Sequence, residues 1–356
     1  MSGYDAILLV SFGGPEAPDD VIPFMENVTA GRGIPRERLE EVSQHYHLFG
    51  GRSPINDQCR ALTAALEAEL TARGHDLPVY WGNRNWHPFL ADTLAEMRDA
   101  GVTRALGLVT SAYSSYSGCR QYREDVEAAR TEVGEGAPEV DKVRVYYNHP
   151  GFVEPNVELV AAALAELDHD VRDEAVVVYT THSIPHTMSR HCDYEVQTYE
   201  ACRLVTEGLA ARGVTNRWEL VYNSRSGPEF VPWLEPDVND RMEQLAEGGV
   251  PAVVVVPIGF VSDHMEVVYD LDVEAKATAE RLDIGFARAA TVGVHPRFVA
   301  GLVDLLEERI ADAPRQALGV RGPKSDLCPL DCCLSPDQER RPAISDAPAR
   351  QRPVRG

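Results

Sequence analysis

Short apolar runs alternate with amphipathic stretches along the first 310 residues of the chain. Runs such as Val253 to Val256 are apolar without alternation, which is typical of strands covered by helices on both faces of a parallel sheet. The predicted strands are Ala6 to Phe12, Pro78 to Gly82, Arg104 to Thr110, Lys142 to Tyr147, Ala175 to Tyr179, Trp218 to Tyr222, Pro251 to Pro257 and Gly285 to Ala289.

Stretches in which apolar residues recur every three or four positions predict helices between these strands. The predicted helices are Asp19 to Val28, Arg36 to Gln44, Ile55 to Ala72, Pro88 to Ala100, Ser117 to Thr131, Glu154 to Leu167, Tyr194 to Arg212, Asp237 to Glu247, His264 to Leu282 and Pro296 to Ile310. This order predicts an α/β fold of two doubly wound domains, residues 1–150 and residues 151–311, the second ending in a closing helix.

Residues 312–356 differ from the rest, because they are rich in Pro, Arg, Asp and Ser and show little apolar periodicity. Such a composition predicts a flexible tail. Within it, the sequence CPLDCC places Cys328, Cys332 and Cys333 close together.

The chain is acidic, with 34 Lys and Arg against 56 Asp and Glu and a net charge of -22. This charge opposes binding to nucleic acid or to an anionic membrane, since contact with phosphates would be repulsive. No basic, apolar leader precedes the first predicted strand, and no apolar run approaches the roughly 20 residues of a spanning helix. Seven cysteines, an odd number, do not form the pattern of a secreted disulfide framework. We therefore expect a cytoplasmic protein without stable membrane association.

Candidate chemistry concentrates after the four-valine strand, in a segment that reads SDHMEVVYDLDVE. Helix capping by Asp263 and Glu266 is one interpretation of its first turn. However, Glu266, Asp270 and Glu274 share one face of the predicted helix, where like charges cost roughly 0.2 to 0.5 kcal/mol per pair. A row of acids that lowers helix stability favours a path for a hard cation.

A second strand end carries the sequence THSIP, which includes His182. A single histidine is more often structural. In the same predicted sheet, however, His264 and Glu266 also follow a strand, and the carboxyl ends of parallel strands are where open α/β sheets bind ligands. An imidazole facing a carboxylate can bind a transition metal or accept a proton near neutral pH.

Three further segments suggest contacts to a ligand, each with a structural alternative. SFGGP, from Ser11, predicts either a tight turn or room for a flat ligand. The arginines near GRGIPRER, including Arg32, suit anionic groups or a charged helix surface. SAYSSYSGCRQY, ending at Tyr122, suits an aromatic wall or tyrosines half-buried at a strand end.

Six motifs in order, SFGGP, GGRSPI, TSAYSSYSGCRQY, THSIP, NSRSGPEFVPWLEPD and GFVSDHMEVVYDLD, resemble those of the ferrochelatases. These are class II chelatases that insert ferrous iron into a porphyrin. The resemblance covers roughly residues 4 to 311. It implies two Rossmann-like domains with the porphyrin in a cleft between them.

The resemblance also implies roles for particular residues. His182 and Glu266 match the pair that flanks the macrocycle centre, and we assign proton removal and Fe2+ binding to them jointly. Asp270 and Glu274 match an outer acidic line that feeds metal inward. The expected substrate contacts are Ser53 and Tyr122 for propionates, Tyr46 as a weaker match, Arg32, and Phe12. Some relatives have a tyrosine at the position of Phe12; a phenyl ring cannot bind iron, so we expect it to stack beside the porphyrin.

Several ferrochelatases hold a [2Fe–2S] cluster on one cysteine of the main body and three near the C-terminus. Cys119, Cys328, Cys332 and Cys333 match this arrangement and supply the four thiolates that such a cluster needs. The alternative is a set of reduced thiols without a cluster.

The actinobacterial members that the chain resembles are understood to act on coproporphyrin III, forming coproheme. We therefore expect coproporphyrin III and ferrous iron as substrates, a monomer, and a downstream enzyme of haem synthesis as a partner. A protoporphyrin IX ferrochelatase, a cobalt or nickel chelatase of the same fold, and a porphyrin carrier without turnover are the alternatives.

Overall fold

The computed structural model describes residues 3–31, 33–227, 230–337 and 339–347. Within them, eight strands form two parallel sheets of four, in the orders β2-β1-β3-β4 and β6-β5-β7-β8. The strands are β1 (Ala6–Ser11), β2 (Val79–Asn83), β3 (Arg104–Val109), β4 (Glu139–Lys142), β5 (Val176–His182), β6 (Trp218–Asn223), β7 (Ala252–Val256) and β8 (Gly285–Arg288). The α/β prediction is therefore confirmed, whereas the domain limits at 150 and 311 and the cleft stay predictions.

Thirteen α-helices connect and cover these strands in the described part of the chain. They are α1 (Val21–Val28), α2 (Arg36–His47), α3 (Ile55–Ala72), α4 (Leu90–Asp99), α5 (Gln121–Val133), α6 (Pro150–Glu166), α7 (His169–Arg172), α8 (His186–Ser189), α9 (Tyr194–Ala210), α10 (Val238–Glu247), α11 (Met265–Val268), α12 (Lys276–Leu282) and α13 (Pro296–Ile310). None of the described helices is both long and apolar enough for a bilayer.

The central strands are buried on both faces, as the unbroken apolar runs predict. All six residues of β1 and all five of β7 are buried. In the second sheet, β5 pairs with β7 on one side and with β6 on the other, where His182 lies opposite Asn223. The parallel arrangement thus brings the polar ends of β5, β6 and β7 to one edge of the sheet.

Two predicted elements differ from the structure. The fourth strand covers Glu139–Lys142 rather than Lys142 to Tyr147, because the backbone N–H of Arg144 donates to the Asp326 carboxylate, 2.9 Å away, instead of to a strand. The helix predicted from His264 to Leu282 is divided into α11, a π-helix over Asp270–Ala275, and α12. A shorter π-helix, Tyr116–Arg120, precedes α5.

The described residues 312–337 and 339–347 of the predicted flexible tail contact the first half of the chain. The segment has little regular structure, but its backbone carbonyls accept hydrogen bonds from buried arginines. Arg120 donates to Leu330, Cys332 and Arg341, and Arg123 donates to Ile344. A buried guanidinium N–H without a hydrogen-bond acceptor lowers the stability of the folded protein. These contacts therefore hold the segment against the helices of the first sheet. Composition alone does not reveal such acceptors.

Candidate active site and cysteine cluster

His182 is the last residue of β5, and hydrogen bonds hold both its ring and its backbone. Its Nδ1–H donates to the carbonyl of Ser183, and the hydroxyl of Tyr194 donates to the backbone carbonyl of His182 at 2.9 Å. Since Nδ1 carries a proton, Nε2 is the atom left for chemistry. The strand end therefore presents one imidazole nitrogen in a set orientation.

That nitrogen faces Glu266, the second residue of α11, with Nε2 and Oε1 3.1 Å apart. The two side chains are 28% and 45% exposed, so other molecules can reach them. Burial opposes the charged imidazole, but the charge and hydrogen bond of Glu266 raise the pKa of His182 to about 9. Burial likewise opposes the carboxylate, but His182 lowers the pKa of Glu266 to about 2. At neutral pH the proton of the pair therefore lies on His182.

His264 caps α11, so the capping role predicted for Asp263 belongs to its neighbour. Nδ1 of His264 accepts from the backbone N–H of Glu266 at 3.2 Å. Asp263 instead pairs with Arg288 and accepts from the hydroxyl of Thr291. Burial lowers the pKa of His264 most, against the charge of Glu266, which raises it, and the charge of His182 lowers it further. A neutral imidazole thus stands beside the protonated one.

The acidic line begins in the π-helix. Burial and then the charges of Glu266 and Glu274 raise the pKa of Asp270 to about 7, against hydrogen bonds from Ser224 and Asn223 that lower it. Asn223 donates to the Asp270 carboxylate at 3.0 Å and to the backbone carbonyl of Glu266 at 2.9 Å. Burial also raises the pKa of Glu274, as does the charge of Asp237. The structure therefore brings Glu266, Asp270 and Glu274 into electrostatic contact.

Asn223 and Ser224 are the first two residues of the motif NSRSGPEFVPWLEPD, but no role was predicted for them from the sequence. Their signal is positional, since they follow a predicted strand of the same sheet as His182.

Aromatic residues from the first half of the chain approach the same place. Burial, then the charges of Glu266 and Asp270, raise the pKa of Tyr46. Tyr46 packs against Phe24, with ring centroids 6.0 Å apart, and Phe24 packs against the partly exposed Phe12. The resemblance placed Tyr46 and Phe12 at the site, and Tyr46 lies near its carboxylates.

A stacked pair joins the two halves beside Tyr46. The ring of His45, on α2, lies 3.7 Å from that of Tyr269, at an interplanar angle of 9°. Tyr269 directly precedes the π-helix that carries Asp270.

The expected propionate contacts are less accessible. Ser53 is 3% exposed and Tyr122 is 5% exposed. The guanidinium of Arg84 lies 4.9 Å from the Tyr122 ring centroid and 5.7 Å from that of Phe12. Arg84 was not predicted as a site residue, because the only feature of the sequence that indicates such a role is its place after a predicted strand. Arg32 lies outside the described residues.

The four cysteines expected to bind a cluster contact one another in a chain from Cys119 to Cys333. Sγ of Cys332 and Sγ of Cys333 are 3.4 Å apart. Hydrogen bonds from Cys119 and Cys332 lower the pKa of Cys328 most, against burial, and the positive charges of Lys142 and Arg123 lower it further. Two cations thus favour thiolate at this place.

The thiols contact one another as free cysteines. Among the described residues, no three His, Cys, Asp or Glu side chains are arranged as the ligands of a metal ion.

A family model described as Ferrochelatase matches residues 4–310. The chain belongs to the ferrochelatase family. Among its relatives, the Coproporphyrin III ferrochelatase of Streptomyces coelicolor is 55% identical over 97% of both chains. The Ferrochelatase of Rhodopirellula baltica is 50% identical over 96% of both.

A solved structure, SirB from Bacillus subtilis with Fe3+, matches 86% of this ferrochelatase-family chain and 96% of its own, with a TM-score of 0.52 at 12% identity. This likeness shows the fold alone.

Proposed function

We propose that this ferrochelatase-family protein inserts Fe2+ into coproporphyrin III to form coproheme. The observation that carries the proposal is the contact between His182 Nε2 and Glu266 Oε1, which are 3.1 Å apart. Both side chains are partly exposed at the carboxyl end of a strand, where a substrate can reach them. The relatives' names support the same substrate, since the Streptomyces coelicolor protein is 55% identical along nearly its whole length.

The reaction exchanges charge at the macrocycle centre. Fe2+ enters and two pyrrole N–H protons leave, so the ring core gains no net charge. At rest His182 holds a proton because Glu266 is ionised beside it. An approaching Fe2+ offsets the Glu266 charge and thereby lowers the pKa of His182. His182 then releases its Nε2 proton to water and accepts the two pyrrole protons in turn, passing the first to water before it takes the second. We therefore assign the two residues jointly to metal binding and proton removal.

Asp270 and Glu274 form the outer part of the iron path in this proposal. Burial raises the pKa of both carboxylates most, and the charges of Glu266 and Glu274 raise that of Asp270 further, so a cation beside them would stabilise their ionised forms. Oxygen ligands of this kind hold a hydrated divalent ion loosely enough to release it.

The porphyrin lies against Phe12 and Tyr46 in this proposal. Ser53 and Tyr122 remain proposed propionate contacts, together with Arg84, because its guanidinium packs against both Tyr122 and Phe12. A guanidinium binds a carboxylate bidentately, which suits a substrate with four propionates.

An anaerobic assay with both porphyrins tests the proposal. Purified protein, Fe2+ and coproporphyrin III should give the coproheme spectrum, with protoporphyrin IX converted more slowly. Tight porphyrin binding with no insertion would instead identify a carrier. Faster insertion of Co2+ or Ni2+ than of Fe2+ at equal free concentration would identify a different chelatase.

We further propose a [2Fe–2S] cluster on Cys119, Cys328, Cys332 and Cys333. The donor set fits in number and in charge, since four thiols meet beside two cations. When bound, such a group supplies one-electron redox chemistry. Protein purified without oxygen should contain iron and acid-labile sulfide in equal amounts and absorb visible light; colourless protein would rule the cluster out.

We place the enzyme in the cytoplasm. All seven cysteines are outside disulfides, which suits a reducing compartment. Recovery of the native protein in a membrane fraction after a salt wash would contradict this.

A further inference from the structure

One donor of a buried arginine has no acceptor. Arg123, on α5, is 1% exposed. Its Nε donates to the carbonyl of Ile344 at 2.8 Å, and its Nη2 donates to the carboxylate of Asp346. Its Nη1 is buried without a hydrogen-bond partner among the described residues. Because a buried unmet donor costs about 1 to 3 kcal/mol, it calls for an explanation.

The tail places a cysteine beside this donor. Cys328 forms a β-bridge with Asp346, the residue that Arg123 holds. The backbone N–H of Cys328 donates to the carbonyl of Ser345 at 3.0 Å. On the other side, Cys119 belongs to the π-helix that precedes α5 and lies within electrostatic reach of Arg123. Arg123 therefore lies between a main-body cysteine and a tail cysteine.

A second cation borders the same cysteines. Lys142, the last residue of β4, is 3% exposed, and its Nζ donates to the carbonyl of Val143 at 2.7 Å. It lines a cavity of about 10 Å³ together with Cys119, which leaves room for about one water molecule. None of the described carboxylates forms an ion pair with Lys142, although a buried ammonium needs a counter-charge.

We propose that Arg123 and Lys142 are the counter-cations of the cluster and set its reduction potential, with Arg123 Nη1 donating to a cluster sulfur. This inference rests on the [2Fe–2S] cluster proposed above. Such a cluster on four thiolates is negatively charged, and reduction adds one more negative charge. Nearby cations and hydrogen bonds to sulfur therefore stabilise the reduced state and raise the potential. Both residues are positioning groups and bind no substrate.

The test is a redox titration of the anaerobically purified full chain, followed by visible absorption and electron paramagnetic resonance. Lys142→Met removes a charge without removing a contact to the tail side chains. We expect its ratio of reduced to oxidised cluster at a fixed potential to fall about tenfold, a shift of about 59 mV for a one-electron couple. Arg123→Met should shift the potential in the same direction.

Asp346→Asn supplies the matched control, because it weakens the tail contact of Arg123 but leaves its charge in place. Removing the carboxylate makes the surroundings more positive, so the potential should rise. If Arg123→Met changed the potential only by loosening the tail, Asp346→Asn would shift the potential in the same direction. That result would overturn the inference.

Two failures remain distinguishable. A wild-type protein without a cluster overturns the cluster proposal and this inference with it. A wild-type cluster whose potential is unchanged in Lys142→Met overturns the inference alone. If Arg123→Met does not fold, Lys142→Met decides.

Discussion

His182 Nε2 and Glu266 Oε1 lie 3.1 Å apart, although 84 residues separate them in the chain. One belongs to the end of β5 and the other to the helix after β7, and these strands are neighbours in the sheet. Each side chain holds the other in its charged form. The pair can therefore respond to an incoming cation as a unit, with one proton to release.

His182→Ala should lower turnover by about a hundredfold to ten-thousandfold, the range lost with a general acid or base. Coproporphyrin III binding, followed by fluorescence quenching, should be little changed, since the proposed role of the imidazole is to remove protons and not to hold the propionates. Anaerobic single-turnover rates measure the loss. His169→Ala, at a side chain that is 91% exposed, is the control. Retention of most of the rate would exclude His182 from the chemistry.

Glu266→Gln should lower the pKa of His182 from about 9, because it removes the largest opposition to burial and leaves the hydrogen bond with Ser183 and the charge of Asp270. The raised pKa stabilises the folded protein fully below pH 6.5, and this contribution is lost as the pH rises through 9. The carboxylate's own contribution is present above pH 4.5 and is lost as the pH falls through 2. The variant should thus be most destabilised between pH 4.5 and 6.5, measured by denaturant melts across pH. A constant stability difference across pH would disprove the coupling.

Ser224→Ala should move the Asp270 titration upward from about pH 7, because the Ser224 hydrogen bond lowers that pKa. If the ionised carboxylate passes iron, kcat/KM for Fe2+ rises with pH through this value. The rise should then shift by about half to one pH unit in the variant. Asp270→Asn should remove the rise. An unchanged profile in Asp270→Asn would exclude the residue from the iron path.

Cys332→Ser should abolish the visible absorption and the bound iron, because three thiolates do not complete the ligand set. Cys59→Ala is the control, since that thiol hydrogen-bonds to Ser11 instead. Cys192→Ser should be measured as well, since Cys192 lies close enough to Cys333 for the charge of Cys333 to raise its pKa. Absorption that survives Cys332→Ser but not Cys192→Ser would move the fourth ligand to Cys192.

Glu308→Gln should cost about 3 to 5 kcal/mol of unfolding free energy, because it breaks a buried pair with Arg144. The two side chains are 2% and 0% exposed. Glu243→Gln is the matched control, since its pair with Arg281 lies at the surface and should be worth about 0 to 1 kcal/mol. Urea denaturation measures both. Equal losses of unfolding free energy in the two variants would contradict the claim that burial makes the Arg144 pair more important than the Arg281 pair.

The sequence predicted elements well where packing and local pattern agree. Ile55–Ala72 and Pro296–Ile310 match their predicted bounds, since a long amphipathic stretch leaves one solution. The π-helix at Asp270 was not predicted, because one inserted residue in a helical turn leaves the apolar period nearly unchanged. The site spacing of four and eight residues was therefore derived for a helix that is not regular.

The same limit applies to contacts between distant segments. Periodicity places His182 and Glu266 at the edge of a sheet, but the resemblance was needed to face them toward each other. Neither periodicity nor the resemblance predicted a role for Arg123 or Lys142, since the importance of a buried cation appears only when its neighbours are known. The contacts that the tail makes with buried arginines were not predicted for the same reason.

The way in which α13 and the start of the tail complete the first half of the chain bears on synthesis at the ribosome. Arg144 follows β4, yet its guanidinium is met by Glu308 and by the carbonyl of Gln316. Arg309 likewise donates to the hydroxyl of Tyr4, 2.6 Å away. The amino-terminal half therefore cannot satisfy its own interior while it is being translated. Its final packing must wait until Gln316 has emerged from the ribosome.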